Sequence, residues 1–162
     1  MERVPVTKLL LSLHVLAAIV AVGPVTVAAS MFPPAARRAV PAEGDGPAAA
    51  AVTTVTLLHR ICGVYARIGI AVPVLGLATA LAMGVLDDGW LVTSIGLTAA
   101  AAGVLLAFVL PRQDEIVERL GEGRPVGRQD TVRLAMFTGV FNLLWATVTV
   151  LMIVRPGSTT GA

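Results

Sequence analysis

The chain has 162 residues, 56% of them hydrophobic and only 14% charged, with a formal net charge of +2 and a mean hydropathy of +0.85. Soluble domains average about 25% charged residues, so much of this surface faces something other than water. The net charge is too small for a nucleic-acid footprint, and a single cysteine, Cys62, excludes an internal disulfide.

Taken in order, residues 9–32 form the first apolar run, broken only by small polar residues and His14. It follows Arg3 and Lys8 and is long enough for a tilted span across a hydrocarbon core about 30 Å thick. A second reading stays open, because residues 9–22 match a signal-peptide core and Val27, Ala28 and Ala29 resemble a small-residue cleavage site. Pro33 and Pro34 predict the end of this first span, set at 8–32. Residues 33–47 then read as a flexible linker rich in Pro, Ala, Gly and charge.

Pro47 suits the first turn of the second helix, where a missing N–H costs nothing. The second span, 57–86, opens on a polar head of His59, Arg60, Tyr65 and Arg67 and continues through the uncharged run 68–86. Pro73 removes the partner of the Gly69 carbonyl and predicts a kink near Gly69. Gly76, Ala80 and Gly84 recur every four residues and predict a flat ridge for close helix packing.

Asp87, Asp88 and Gly89 predict a tight turn into an antiparallel third span, 90–110, with Trp90 at the lipid boundary. Gly96, Ala99, Ala100, Gly103 and Ala107 repeat the small-residue spacing, and Pro111 predicts the end of the span. Residues 112–133 are the one sizeable polar segment, in which Ile116, Val117 and Leu120 share a helical face. A short amphipathic interfacial helix is expected there, broken at Gly121 and the Gly-Arg-Pro that follows. The fourth span is 134–154. Its Thr138, Asn142 and Thr149 form a polar stripe predicted to face the bundle, where a buried amide finds an interhelical partner. The predicted fold is all-α: one integral membrane domain, a four-transmembrane-helix bundle with a short amphipathic interfacial segment between helices 3 and 4.

Two membrane histidines invite a haem or metal. Aligning Lys8 with Leu86 places His14 about 9 Å inside one face and His59 about 40 Å from that face. They cannot share a metal whose ligands lie about 2 Å away. The same alignment brings His14 level with Met83 and Met152, a candidate soft set for a cuprous ion. The competing expectation is a hydrogen bond from His14 to a neighbouring helix. At the other face His59, Arg60, Tyr65 and Arg67 fall level with Arg112, Asp114, Glu115 and Arg133. Ion pairs or lipid phosphates are the expected partners of these arginines.

The stretch LHVLAAIVAVGP at 13–24, LHR at 58–60 followed by Tyr65, and FNLLWA at 141–146 resemble small four-helix bacterial membrane proteins of unknown function, loosely grouped with the copper-resistance-D-like family. The resemblance implies a plasma-membrane protein, with copper or haem handling a property of the wider group. This chain lacks a methionine-rich or His-pair motif. It also has no Ser/His/Asp set, HExxH, glycine-rich phosphate loop or CxxC, so neither catalysis nor a cofactor is expected. The expected role is that of a non-catalytic accessory or scaffold protein. Its partners would be the bilayer, other membrane subunits or further copies of itself, with no nucleic acid. The alternative is a small transporter, or a copper- or haem-handling protein using His14 and the nearby methionines. Three basic residues (Arg3, Lys8, Arg155) lie on the side of the termini and nine on the other side. The positive-inside rule therefore predicts extracytoplasmic termini.

Overall fold

The computed structural model describes residues 3–39 and 47–157, and every regular element among them is helical. The helices are α1 (Arg3–Arg38), α2 (Pro47–Ile68), α3 (Ala71–Met83), α4 (Gly89–Val104), α5 (Leu110–Gly121) and α6 (Arg128–Val154), with a π-helical turn at Leu105–Val109 between α4 and α5. They make four stretches long and apolar enough to cross a membrane: Pro5–Arg38, Ala49–Met83, Gly89–Gly121 and Arg128–Val154. The predicted four-helix bundle is present, and each helical stretch is longer than the span read from its apolar run.

The prolines account for most of that extra length. Pro33 and Pro34 do not end the first helix, which carries Pro24, Pro33 and Pro34 inside it and runs on to Arg38. Phe32 is fully buried beside them, with Ala29 and Ala36 buried on the same side. Packing on that face keeps the chain helical although each proline removes a donor. Of the predicted linker, 33–38 is thus helix, and 40–46 lies outside the described residues.

Pro111 does not end the third helix either. The N–H of Leu110 donates five residues back to the Leu105 carbonyl. That wide turn makes room for a proline ring where the ordinary bond cannot form. The amphipathic segment is present as α5, continuous with the third span, and buries Gln113, Ile116 and Leu120. It ends at Gly121, as expected, and the Gly-Arg-Pro that follows closes it, with Gly123 at φ +69°. There the N–H of Arg124 reaches the Arg119 carbonyl at 2.8 Å and that of Gly123 reaches Leu120 at 3.1 Å, a Schellman closure.

Pro73 does interrupt its helix. The second stretch parts at Gly69 and Ile70, between α2 and α3, as the kink prediction required. The N–H of Val72 donates to the Gly69 carbonyl at 3.0 Å, supplying the partner that Pro73 cannot. Pro73 thereby falls in the first turn of α3, where its ring is tolerated.

The helix α1 is central. It packs on α2 and α3 along one side and on α6 along the other, α4 packs on α6, and α5 closes against α2. The main core, including Phe32, Val55, Leu58, Cys62, Val109 and Leu134, lies at the arginine-rich end. A smaller cluster of Ala80, Val85, Trp90 and Leu91 joins the far ends of α3 and α4.

Two small-residue ridges are corrected. Gly84 caps α3 with φ +69° instead of packing, leaving Gly76 and Ala80 to face inward. In the third helix Gly96, Ala99, Ala100, Gly103 and Ala107 are all exposed. The buried face there belongs to Trp90, Leu91, Ser94 and Ala101, whose bulk at the hairpin fixes the rotation of the helix.

Candidate functional site

The hairpin between α1 and α2 sets their register. Counting back from Arg38 and forward from Pro47 brings His14 opposite Val72. Its Nδ1–H donates to the Val72 carbonyl at 3.0 Å, the interhelical hydrogen bond expected for it. This corrects the Lys8–Leu86 alignment by about two helical turns. The imidazole lies against Gly76, where an added Cβ would stand 2.9 Å from His14 Cε1. Met83 and Met152 pack instead against the Trp90 cluster, with Met83 about 10 Å further along the helix than Gly76. The structure does not bring His14, Met83 and Met152 together, and as placed they do not fit a copper ion.

On α6, Asn142 Nδ2 donates to Ser30 Oγ at 3.1 Å, tying α6 to α1. Thr138 is buried, with no partner for its hydroxyl among the described residues. Thr149 is exposed, and its hydroxyl returns to the Trp145 carbonyl at 3.0 Å, so the polar stripe does not reach it. The buried residues Thr131, Leu134, Thr138, Phe141 and Val148 follow a seven-residue repeat. Thr149 falls on the flank of that seam.

At the arginine-rich end, His59 Nε2 meets Asp114 Oδ1 at 3.0 Å and joins α2 to α5. One turn on, the fully buried Gln113 donates Nε2–H to Cys62 Sγ at 3.6 Å. Arg119 bridges Glu115 and Asp130, and Arg37 Nε donates to Thr131 Oγ1 at 3.1 Å. Arg112 lies over the Phe137 ring, 5.4 Å from its centre. The acid partners expected for Arg60 and Arg67 do not materialise. Arg67 Nε donates to the Gly63 carbonyl of its own helix at 3.1 Å. Neither arginine forms an ion pair among the described residues. At the far end, Trp90 Nε1 donates to Asp88 Oδ2 at 2.9 Å, and Arg155 sits 5.5 Å from the Trp90 ring centre.

Between these ends lies the feature that sequence reasoning missed. The Gly69–Ile70 break and the Leu105–Val109 wide turn border one lateral cleft of about 160 Å³. Tyr65, Gly69, Pro73, Ala102, Leu105 and Trp145 are among its walls. A second hollow of about 290 Å³ opens beside it, lined by His59, Arg67 and Asp114. The two share Ala66, Ile70 and Leu106, so polar mouth and apolar cleft form one groove. Finding it from sequence requires knowing how the first and fourth spans meet the second and third at this level. The common level of His59 and Asp114 was the one legible clue.

Fold and groove together define a four-span helical integral membrane protein. The chain belongs to the family described as predicted integral membrane protein (DUF2269), whose model matches residues 8–156. No curated protein and no solved structure matches it, and the copper-resistance-D-like resemblance draws no support from these comparisons.

Proposed function

We propose that this protein is a non-catalytic accessory or scaffold component of a bacterial plasma membrane. The observation that carries this reading is where its interior polar groups go. His14 to Val72, Asn142 to Ser30, Gln113 to Cys62, His59 to Asp114 and Arg37 to Thr131 each bond across two helices. Side chains used singly to fasten helices do not converge on a reacting atom, as a nucleophile, a base and its orienting group must. The alternative, a transporter or a copper- or haem-handling protein, needs a second ligand beside His14, and Val72 and Gly76 occupy that surface.

The experiment is purification in mild detergent followed by an absorption spectrum, metal analysis and native electrophoresis of solubilised membranes. The expected outcome is no Soret band, copper well below one per chain, and migration with other subunits or further copies. A Soret band, or one copper per chain lost in His14→Ala, would overturn the proposal.

The same reading includes orientation. The arginine bias favours cytoplasmic placement of the 40–46 and 122–127 connections, with the Asp87–Asp88 turn and both termini outside. With Cys62 replaced by Ser, a single cysteine at Glu122 should resist an impermeant maleimide in intact cells. One at Asp87 should react, and the reverse pattern would sink the assignment.

A further inference from the structure

We propose that the lateral groove is a site for an anionic phospholipid, with its phosphate at Arg67 and one acyl chain in the cleft between the second and third helices. The inference holds whether or not the protein has partner subunits.

Three observations converge on it. The first is depth. The uncharged run of the second helix begins directly after Arg67, at residue 68, and that of the third ends directly before Arg112. The mouth of the groove, at Arg67 and Asp114, therefore lies where both helices pass from charged to apolar, the level of lipid headgroups. Its cleft extends along the second helix from Tyr65 to Pro73, about 12 Å, into the uncharged side.

The second is charge. Asp114 is held by His59, and Arg119 and Arg124 have Glu115, Asp130 and Glu122. Arg67 uses only Nε, on the Gly63 carbonyl, and its terminal nitrogens have no acidic partner among the described residues. An exposed guanidinium at headgroup depth with unspent donors recognises phosphate. A zwitterionic headgroup brings no net charge to it.

The third is access. The cleft opens sideways past Ile70, Ala102 and Leu106, all exposed, so an occupant enters from the acyl layer without crossing water. Tyr65 and Trp145 line it, and neither the phenol nor the indole N–H has a partner among the described residues. They are the polar atoms available for the ester region of a lipid, while the remaining wall is almost wholly aliphatic and aromatic. The helix irregularities explain why the cleft stays open: the Gly69–Ile70 break turns α3 off the line of α2, and the wide turn displaces α4 from α5.

Native mass spectrometry of the full chain, delipidated and titrated with phosphatidylglycerol or with phosphatidylcholine of the same chains, tests this. Phosphatidylglycerol should bind about fivefold more tightly, the weight of one arginine at an anionic surface. Arg67→Gln should remove that preference, and because Arg67 is exposed the substitution leaves packing alone. Ala102→Phe, which fills the cleft, should weaken both lipids at least about tenfold. Should Ala102→Phe fail to fold, a phosphatidylglycerol with a diazirine-bearing chain should label 65–73 and 98–106 of the unaltered protein. Equal binding of the two lipids, or an unchanged preference in Arg67→Gln, would overturn the assignment of an anionic lipid to Arg67. Labelling spread evenly over the four spans would overturn the cleft. Displacement of the lipid by inorganic phosphate would reduce the site to a phosphate contact. A dimer that dissociates in Ala102→Phe would give the cleft to a second copy. Either of these last two results would refute the proposal.

Discussion

At the arginine-rich end the helices close on one another around Phe32, Val55, Cys62, Val109 and Leu134, whereas beyond Gly69 the second and third helices diverge and leave a cleft. The closed half carries Arg60, Asp114, Glu115 and Glu118 exposed on its outside. There, apolar burial is favoured over contact with water, and the core packs to completion. Between Gly69 and the Asp87 turn the outward side chains of the second helix are uncharged, and lipid receives a valine or leucine as readily as another helix does. The open half closes around one small cluster, Ala80, Val85, Trp90 and Leu91, at its far end. Its hydrogen bond between helices is that of His14 on Val72. The break at Gly69–Ile70 and the wide turn at Leu105–Val109 stand at the boundary, where two helices change direction between two kinds of packing.

Substitutions in each half sharpen or break this comparison, read as unfolding midpoints in detergent. The largest loss is expected from Phe32→Ala in the closed half, about 3 kcal/mol from the cavity left beside Pro33 and Pro34. A smaller cost than that of any open-half change would end the distinction. Gly76→Val drives its side chain into the His14 ring, since even a Cβ at that position stands 2.9 Å from His14 Cε1. It should cost about 2 kcal/mol by forcing α1 and α3 apart.

Pro73→Ala touches the boundary itself. Its effect on stability should stay under about 1 kcal/mol, because Pro73 occupies a first turn. The distance between spin labels at Thr54 and Leu81 should nevertheless lengthen as the break relaxes toward a straight helix. An unaltered distance would show that packing, and not the proline, holds the bend. Asn142→Leu should be the mildest, about 0.6 kcal/mol for one interhelical hydrogen bond in a membrane protein. A loss several times larger would make the Ser30 tie a principal fastening of α6.

The number and order of the spans were legible because uncharged runs of sufficient length report directly on lipid. Their ends were not. Pro33, Pro34 and Pro111 read as terminators by local rule, yet Phe32 packs beside the first two, and a wide turn absorbs the third. Whether proline stops a helix depends on neighbours that a sequence does not display. Gly69 with Pro73 was readable as a kink because both causes lie within one turn. The partner of His14 was half legible. A hydrogen bond to another helix followed from burial, but Val72 followed only from the register set by Arg38 and Pro47. The groove was illegible for the same reason: its walls come from all four spans, and how these meet at one level is a tertiary fact. Thr149 misled because its spacing fits a straight helix, while α6 buries a seven-residue seam.

From Ala101 through Leu105 and Val109 to Gln113, the buried positions of the third helix recur every four residues. A regular α-helix carries such a series around its axis by about 40° at each step. The π-turn absorbs much of this drift because its hydrogen bond spans one residue more. It therefore acts as a phase adjustment between α4 and α5. Removing any one residue from 105–109 would rotate α5 by about 100° relative to α4. Gln113 would then turn from Cys62 and Asp114 from His59, with both of those partners still in place. The mouth of the groove is keyed to α4 by a single residue of chain length, whichever amino acid supplies it.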